Sequence, residues 1–320
     1  MSVTITNLLQ PGRYRLVDGV HMALADAGAL DRRNVEAFAE KWAWTHHRPG
    51  AAEYEEMQYR RFLTFYGFPD QAALVAFLKG KSVILDAGCG YGHKANWLAT
   101  LAPHAQVIAM DLSESIFIAR KLYGDRPNLT FVKGDIADTG FLDGTIDFVD
   151  CDQVLHHTSD PQRTTVELAR VASHGGHLAL YVYARKALPR ELVDEYFLSK
   201  QRPLSSEEIW DMSDRLTRLG RMLYELNVEL DFPDIPQLDI RGGRQNLQRF
   251  FYDNFLKCFW NEEIGHEQSV AVNFDWYSPH IAFRFTAEEF LAMTAAAGLS
   301  PLYRYSEPAC HSGLFLKPAS

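Results

Sequence analysis

The stretch Ser82-Val83-Ile84-Leu85-Asp86-Ala87-Gly88-Cys89-Gly90-Tyr91-Gly92-His93 constrains the fold of this chain more than any other. Val83 to Leu85 is a short apolar run of β-forming residues and predicts a strand buried on both faces. It leads into a carboxylate, Asp86, and then into Gly88, Gly90 and Gly92, where the backbone can turn tightly and approach a ligand with no Cβ in the way. A helical pattern follows from Lys94 to Leu101. Strand, glycine loop and helix in this order place a ligand at the C-terminal end of a parallel sheet. The glycine spacing is not the G-x-G-x-x-G of a dinucleotide site, and Asp86 would repel a pyrophosphate. A carboxylate there suits a cationic amino-acid group instead.

Four further segments extend the pattern. Val107 to Met110 is a second apolar run, ending in Asp111-Leu112-Ser113. Phe131-Val132-Lys133-Gly134-Asp135-Ile136 is a third. Ile146 to Val154 is a fourth, carrying Asp150 and Asp152 and followed by Leu155-His156-His157 and Asp160-Pro161. Gly175-Gly176-His177 precedes a fifth, from Leu178 to Tyr183. An acid at the end of a second strand is where nucleotide-binding α/β folds hold ribose hydroxyls. Together these segments, in this order over residues 82–183, resemble the class I S-adenosylmethionine (SAM) methyltransferases.

The resemblance implies an α/β fold: a mostly parallel seven-stranded sheet with helices on both faces. It implies SAM as cofactor, with Asp86, Gly88, Gly90 and Gly92 forming the loop and Asp111, with Leu112 beside it, at the ribose. It places Asp135 at the adenine amino group and Ile136 against the ring. Tyr91 either contacts the carboxylate region of the cofactor or packs beneath the loop. Asp152 lies where cofactor and acceptor should meet, as an acceptor ligand or a base.

The rest of the chain is organised around that core. The 320 residues, 47% hydrophobic and 23% charged, fit a soluble globular protein. No apolar run is long enough to span a membrane, and residues 1–10 lack the pattern of a signal peptide. Cys89, Cys151, Cys258 and Cys310 show no metal-like spacing and read as reduced thiols of a cytoplasmic protein. A net charge of −9 opposes binding to a polyanion. Residues 1–80 are expected to form a helical extension, with Val35, Phe38, Ala39 and Trp42 on one stripe. Phe38-Ala39-Glu40-Lys41-Trp42 loosely resembles an element ahead of the glycine loop in some bacterial members of the family. The core spans residues 81–186, a helical insertion or lid spans 187–285, and residues 286–320 return to the core. Within the insertion, Ser205 to Glu208 is a capping box, Phe232-Pro233-Asp234-Ile235-Pro236 is a break, and an aromatic helix is expected over 245–260.

Candidate acceptor-side residues come from three places. His156 and His157 are either general bases or structural; adjacent histidines with no third ligand do not make a metal site. Tyr181 and Tyr183 alternate on one face of the fifth strand and either line the acceptor pocket or pack on the insertion. Asp275-Trp276-Tyr277-Ser278-Pro279 reads as a loop that brings Trp276 or Tyr277 to the acceptor. The expected function is methyl transfer from SAM to a small-molecule acceptor in specialised metabolism. The alternatives are cyclisation of SAM with release of methylthioadenosine, methylation of RNA or protein, and a SAM-sensing module.

Overall fold

The computed structural model describes residues 4–24, 29–198 and 204–319, without the side chains of 29–33. The chain begins with a hairpin, β1 (Tyr14–Val17) and β2 (Val20–Ala23), followed by helices α1 (Ala29–Thr45), α2 (Ala51–Tyr66) and α3 (Gln71–Leu78). The core then alternates: β3 (Val83–Ala87), α4 (His93–Leu101), β4 (Gln106–Asp111), α5 (Ser115–Tyr123), β5 (Leu129–Lys133), β6 (Ile146–Cys151), α6 (Pro161–Val171) and β7 (Ala172–Ala184). Next come α7 (Leu188–Leu198), α8 (Ser206–Glu225), β8 (Glu229–Phe232), β9 (Gly243–Asn246), α9 (Leu247–Asn254) and α10 (Gly265–Tyr277). The chain closes with β10 (Arg284–Phe285), α11 (Ala287–Ala296), β11 (Ser300–Ser306) and β12 (Cys310–Leu316).

The main sheet has the order β1-β2-β5-β4-β3-β6-β7-β12-β11, with β10 also pairing β7. Strands β5, β4, β3, β6 and β7 are parallel, and β12 runs antiparallel to β7. The glycine-loop strand β3 is central, so both its faces are covered. Val83, Leu85 and Ala87 pack into one apolar cluster, and Ile84 into the cluster on the opposite face. Ile108 and Met110 of β4 join the first cluster, Val107 and Ala109 the second. The two-residue period of a strand thus produces two cores from one apolar run.

Local signals account for several helix ends. Asp70 caps α3 by accepting from Ala73 N at 2.8 Å, and Asp160 caps α6 from Arg163 N at 2.9 Å with Pro161 at the first helical position. Capping boxes open α8 at Ser205 with Glu208, and α11 at Thr286 with Glu289.

Four expectations need correction. The sheet has ten strands, because the hairpin and β10 add to the seven of the core. The segment 1–80 is not purely helical: β2 pairs in parallel with β5 and extends the sheet edge. The region 187–285 contains a two-stranded sheet, β8 with β9, around the Pro233–Pro236 break. The aromatic helix expected over 245–260 stops at Asn254, where Phe255 takes a non-helical conformation. Among the described residues no helix is long and apolar enough to cross a membrane.

Candidate cofactor and acceptor site

A cleft of about 1140 Å³, its mouth included, opens where β3, β4, β5 and β6 end. Gly88, Asp111, Leu112, Asp135 and Ile136 line one end; Asp152 and Gln153 lie in the middle; His157, Tyr183 and Asp275 line the other. Helix α1 also lines the cleft, through Asn34, Val35, Phe38, Lys41 and Trp42.

The glycine loop is fixed from below. Gly88 N and Cys89 N donate to Met110 O at 2.8 and 3.0 Å. Gly88 has φ +88°, and a Cβ there would sit 2.5 Å from the Val154 methyls. Gly90 has φ +56°, and a Cβ there would sit 2.7 Å from Trp42 Nε1. Glycine is therefore needed twice, once for a tight turn and once so that the roof can lie on the loop.

Asp111 braces this loop as well as facing the cleft. Its Oδ2 accepts from Gly90 N at 2.8 Å, while Oδ1 accepts from Ser113 N at 2.8 Å and Ser113 Oγ at 2.6 Å. Oδ1 is thus saturated, and Oδ2, with one bond accepted, can take another. Asp135 accepts from Ala137 N at 2.8 Å and stands beside the apolar Ile136.

Beneath the loop lies a buried charge cluster. Asp86 and Asp150 are register partners on β3 and β6. Lys94, in the first turn of α4, donates to Asp152 Oδ2 at 2.6 Å. Tyr66 Oη donates to Asp152 Oδ1 at 2.8 Å, and Gln153 Nε2 to Oδ2 at 3.0 Å. Burial pushes Asp86 up to about 7, against the pull of Lys94. Burial also pushes Asp150 well above the carboxylate range. For Asp152 burial works upward too, but the charge of Lys94 and the hydrogen bonds from Lys94, Gln153 and Tyr66 outweigh it and hold the group below its ordinary value. Lys94 is driven down by burial and up, more strongly, by the three carboxylates. A carboxylate so fully engaged is a poor base. Gln153, which also donates to Gln58 Oε1 at 2.7 Å, holds φ +64°, a strained conformation at the middle of the cleft.

At the far end, His157 Nδ1 lies 2.9 Å from Ile281 O and must be protonated to donate to it. Nε2 then carries the lone pair, with no bonding partner among the described residues. Burial lowers His157 to about 4, so the ring is neutral near pH 7. Phe38 and Tyr183 meet its ring edge-on, at 4.7 and 5.3 Å. Lys41 forms an ion pair with Asp275 across the roof, joining α1 to α10. Asn34 donates to His157 O and Ile281 O, both at 3.0 Å, and accepts from His280 N and Ile281 N.

The cleft therefore brings together Gly88, Asp111, Leu112, Asp135, Ile136, Asp152, His157 and Tyr183. It does not include Asp86, Gly90, Tyr91, Gly92, His156, Tyr181, Trp276 or Tyr277. Asp86 lies under the loop with Oδ2 unpartnered. Gly90 is covered by Trp42, and Gly92 caps α4. Tyr91 donates to Glu55 Oε1 at 2.9 Å. His156 is buried, pushed far below its usual value, and its ring centroid lies 3.7 Å from that of Tyr183. Tyr181 packs deeper in the sheet, against Phe65 at 5.5 Å.

The loop expected at 275–279 is the last turn of α10, which Ser278 caps. Successive helical residues diverge by about 100°, so Asp275 faces the cleft and Trp276 does not. Trp276 Nε1 instead donates to Asp194 at 2.8 Å, with Arg190 and Lys257 against its ring at 4.8 and 4.5 Å. Tyr277 Oη donates to Lys257 O at 3.1 Å.

Sequence reasoning missed Asn34, Lys41, His93, Lys94 and Asp275. Asn34, Phe38 and Lys41 fall at i, i+4 and i+7, so two polar residues share the stripe of an otherwise apolar helix face. His93 follows the last glycine of the loop; it is 4% exposed, and neither ring nitrogen has a partner among the described residues. Burial, with Lys94 and Lys41 nearby, lowers it to about 3.

Residues 85–180 match a family model described as a methyltransferase domain. The chain is 40% identical over 96 residues to a malonyl-[acyl-carrier protein] O-methyltransferase of Legionella pneumophila, covering 30% of this chain and 34% of that protein. It is 34% identical over 96 residues to a probable SAM-dependent methyltransferase of Mycobacterium tuberculosis, covering 30% and 33%. The matched stretch thus spans about a third of each of these relatives. A SAM-dependent methyltransferase of known structure from Aquifex aeolicus is 13% identical, with a TM-score of 0.42 over 79% of this chain and 91% of that one. Residues 85–180 are thus similar to a methyltransferase domain. Such domains take SAM as cofactor, and the donor set here fits it: Asp111 and Asp135 line the cleft, and the carboxylate cluster lies under the loop.

Proposed function

We propose that this protein transfers a methyl group from SAM to a small-molecule acceptor, in specialised metabolism. The supporting observation is that the cleft continues beyond Gly88 and Asp152 to a second set of walls, His157, Tyr183 and Asp275, under the roof made by α1 and α10. A site for cofactor alone has no need of that end. When bound, SAM supplies an electrophilic methyl carbon on a sulfonium. The protein's share is to hold the acceptor in line, exclude water under the roof and accept a proton. Aromatic faces at Trp42 and Tyr183 suit a neighbouring cation. The net charge of −9 and the roofed cleft weigh against a nucleic acid as acceptor.

Calorimetry with SAM, S-adenosylhomocysteine and NAD tests the cofactor: the first two should bind and NAD should not. Mass spectrometry of enzyme with SAM alone tests the reaction. The mixture should be nearly inert, and rapid enzyme-dependent release of methylthioadenosine would replace methyl transfer by cyclisation.

A further inference from the structure

A second hollow lies beside the acceptor end, and Ser159 lines both. This groove, about 970 Å³ with its open side included, is bounded by Pro161 at the start of α6, Phe283 and Phe285 at β10, and Ala292 and Met293 of α11. Two segments lead from cleft to groove side by side. One runs from His157, in the cleft wall, through Ser159 to Pro161. The other runs from Ile281 to Phe285 and is bonded to the first: His157 Nδ1 donates to Ile281 O at 2.9 Å, and Phe283 N to His156 O at 2.8 Å. The larger polar groups around the groove are already engaged. Asp160 caps α6, and Gln162 Nε2 donates to Met293 O at 3.4 Å. Glu289 accepts from Arg185 Nη2 at 2.8 and 2.9 Å and from Thr286 N at 2.8 Å. What lies open is apolar: Phe283 is 43% exposed, its ring 6.5 Å from that of Phe285. The cleft, by contrast, is polar within. Neither ring nitrogen of His93 has a partner among the described residues, and Lys41, Gln58 and Asp152 share its lining.

We propose, building on the methyltransferase reading above, that the acceptor is an amphiphile: its polar head enters the cleft, and its apolar chain passes Ser159 and lies in this groove on Phe283, Phe285 and Met293. An apolar chain gains by leaving water along such a surface. A polar extension finds the groove's larger polar side chains already bonded and gives up hydration for little in return. An exposed aromatic at the mouth of a pocket is the kind of patch that marks a binding surface. Continuity at Ser159 assigns that surface to the acceptor, because a chain lying there begins at the wall of the cleft and holds its head in place. The chain is remote from the reacting atoms, so its contacts act on KM rather than kcat.

The test uses the full chain saturated with S-adenosylhomocysteine, its methionine methyls carbon-13 labelled, and two probes, butan-1-ol and decan-1-ol. A methylene fully removed from water is worth about a factor of four, and one covered on a single side about a factor of two; over the added methylenes decanol should bind about 50-fold tighter than butanol. Decanol should also shift the methyl resonance of Met293, which is 6% exposed at the groove. Ala292→Glu puts a charge in the groove and should weaken decanol binding by about tenfold, with affinity for S-adenosylhomocysteine held within about threefold. Ser159→Trp blocks the passage and should also weaken decanol by about tenfold; a groove separate from the cleft would not respond. Both positions are exposed, so neither change threatens the fold. Decanol binding no tighter than butanol, no shift at Met293, or undiminished binding in either variant overturns the inference. So does self-association of the wild type in sedimentation that Ala292→Glu abolishes, because a second copy then fills the groove. Failure to bind S-adenosylhomocysteine instead overturns the methyltransferase reading beneath it, whatever the alcohols do.

Discussion

At the cofactor end of the cleft, Gly88, Leu112, Asp135 and Ile136 each lie one to three residues beyond a core strand, and Asp111 ends one. At the acceptor end, the walls come from α1, the turn after β6, the tip of β7 and the last turn of α10. The Lys41–Asp275 pair is separated by 234 residues, and the Asn34–Ile281 bond by 247. The first end is held by the backbone of one sheet. The second exists only when distant segments pack together. A cofactor common to many enzymes can be bound by the conserved geometry of strand ends, whereas an acceptor needs surfaces that can be changed without disturbing the sheet.

Three variants would sharpen or break this contrast. The largest effect is expected from Trp276→Ala. Trp276 is 9% exposed and braces α10 against Asp194, Arg190 and Lys257. Its loss should cost about 3–5 kcal/mol of stability while SAM affinity in the remaining folded protein stays within a few fold. Denaturant titration with calorimetry checks both, and undiminished stability would mean that the acceptor end is not held by this packing.

Asp111→Ala should act on the other end. It removes the carboxylate expected at the ribose and also releases Gly90 N and the Ser113 groups. SAM binding should weaken by about 1.5–3 kcal/mol, as expected for charge-assisted hydrogen bonds. Unchanged affinity in a folded variant would show that the second-strand acid does not touch the cofactor.

The third variant, whose effect shows only as pH falls, concerns His93, which lines the same cleft. Its folded value of about 3 lies below its ordinary 6.5, so the unfolded chain binds the proton first as pH falls. Stability from this group is complete above pH 6.5 and is lost between pH 6.5 and about 3, at roughly 1.4 kcal/mol per unit. His157 acts in the same direction down to about 4, while Asp86, raised to about 7, favours folding as pH falls. The difference between wild type and His93→Phe isolates the first contribution: the variant should lose less stability between pH 6.5 and pH 4. Identical acid slopes would mean that His93 is charged in the fold.

The contrast also explains what the sequence disclosed. A strand, an acid and a glycine loop are neighbours in the chain, so Gly88, Asp111 and Asp135, which line the cleft, could be picked out from their order, whereas Asp86, Gly90, Tyr91 and Gly92 of the same pattern lie outside its lining. Contacts between distant segments leave no mark in residue order, so Asp275 was missed, and Trp276 was expected on a loop reaching the acceptor although it lies in the last turn of α10 and donates to Asp194. One omission had a local signal. Asp18-Gly19, with φ of +51° and +78°, is a two-residue turn between Val17 and Val20, and Asp-Gly between apolar residues is a strong hairpin mark. The expectation of a helical extension passed over it.

That hairpin bears on solubility. Without β1 and β2, the parallel sheet would end at Leu129–Lys133, whose Phe131 and Val132 are 2% and 0% exposed. A bare edge of this kind invites another chain to pair with it. The hairpin replaces it with a four-residue strand carrying Arg15, and the opposite edge, β11, carries Pro301 and Arg304. Short length, charge and proline are the features that discourage edge-to-edge association. Removing residues 1–24 is therefore expected to promote aggregation through β5, even with every residue of the cleft intact.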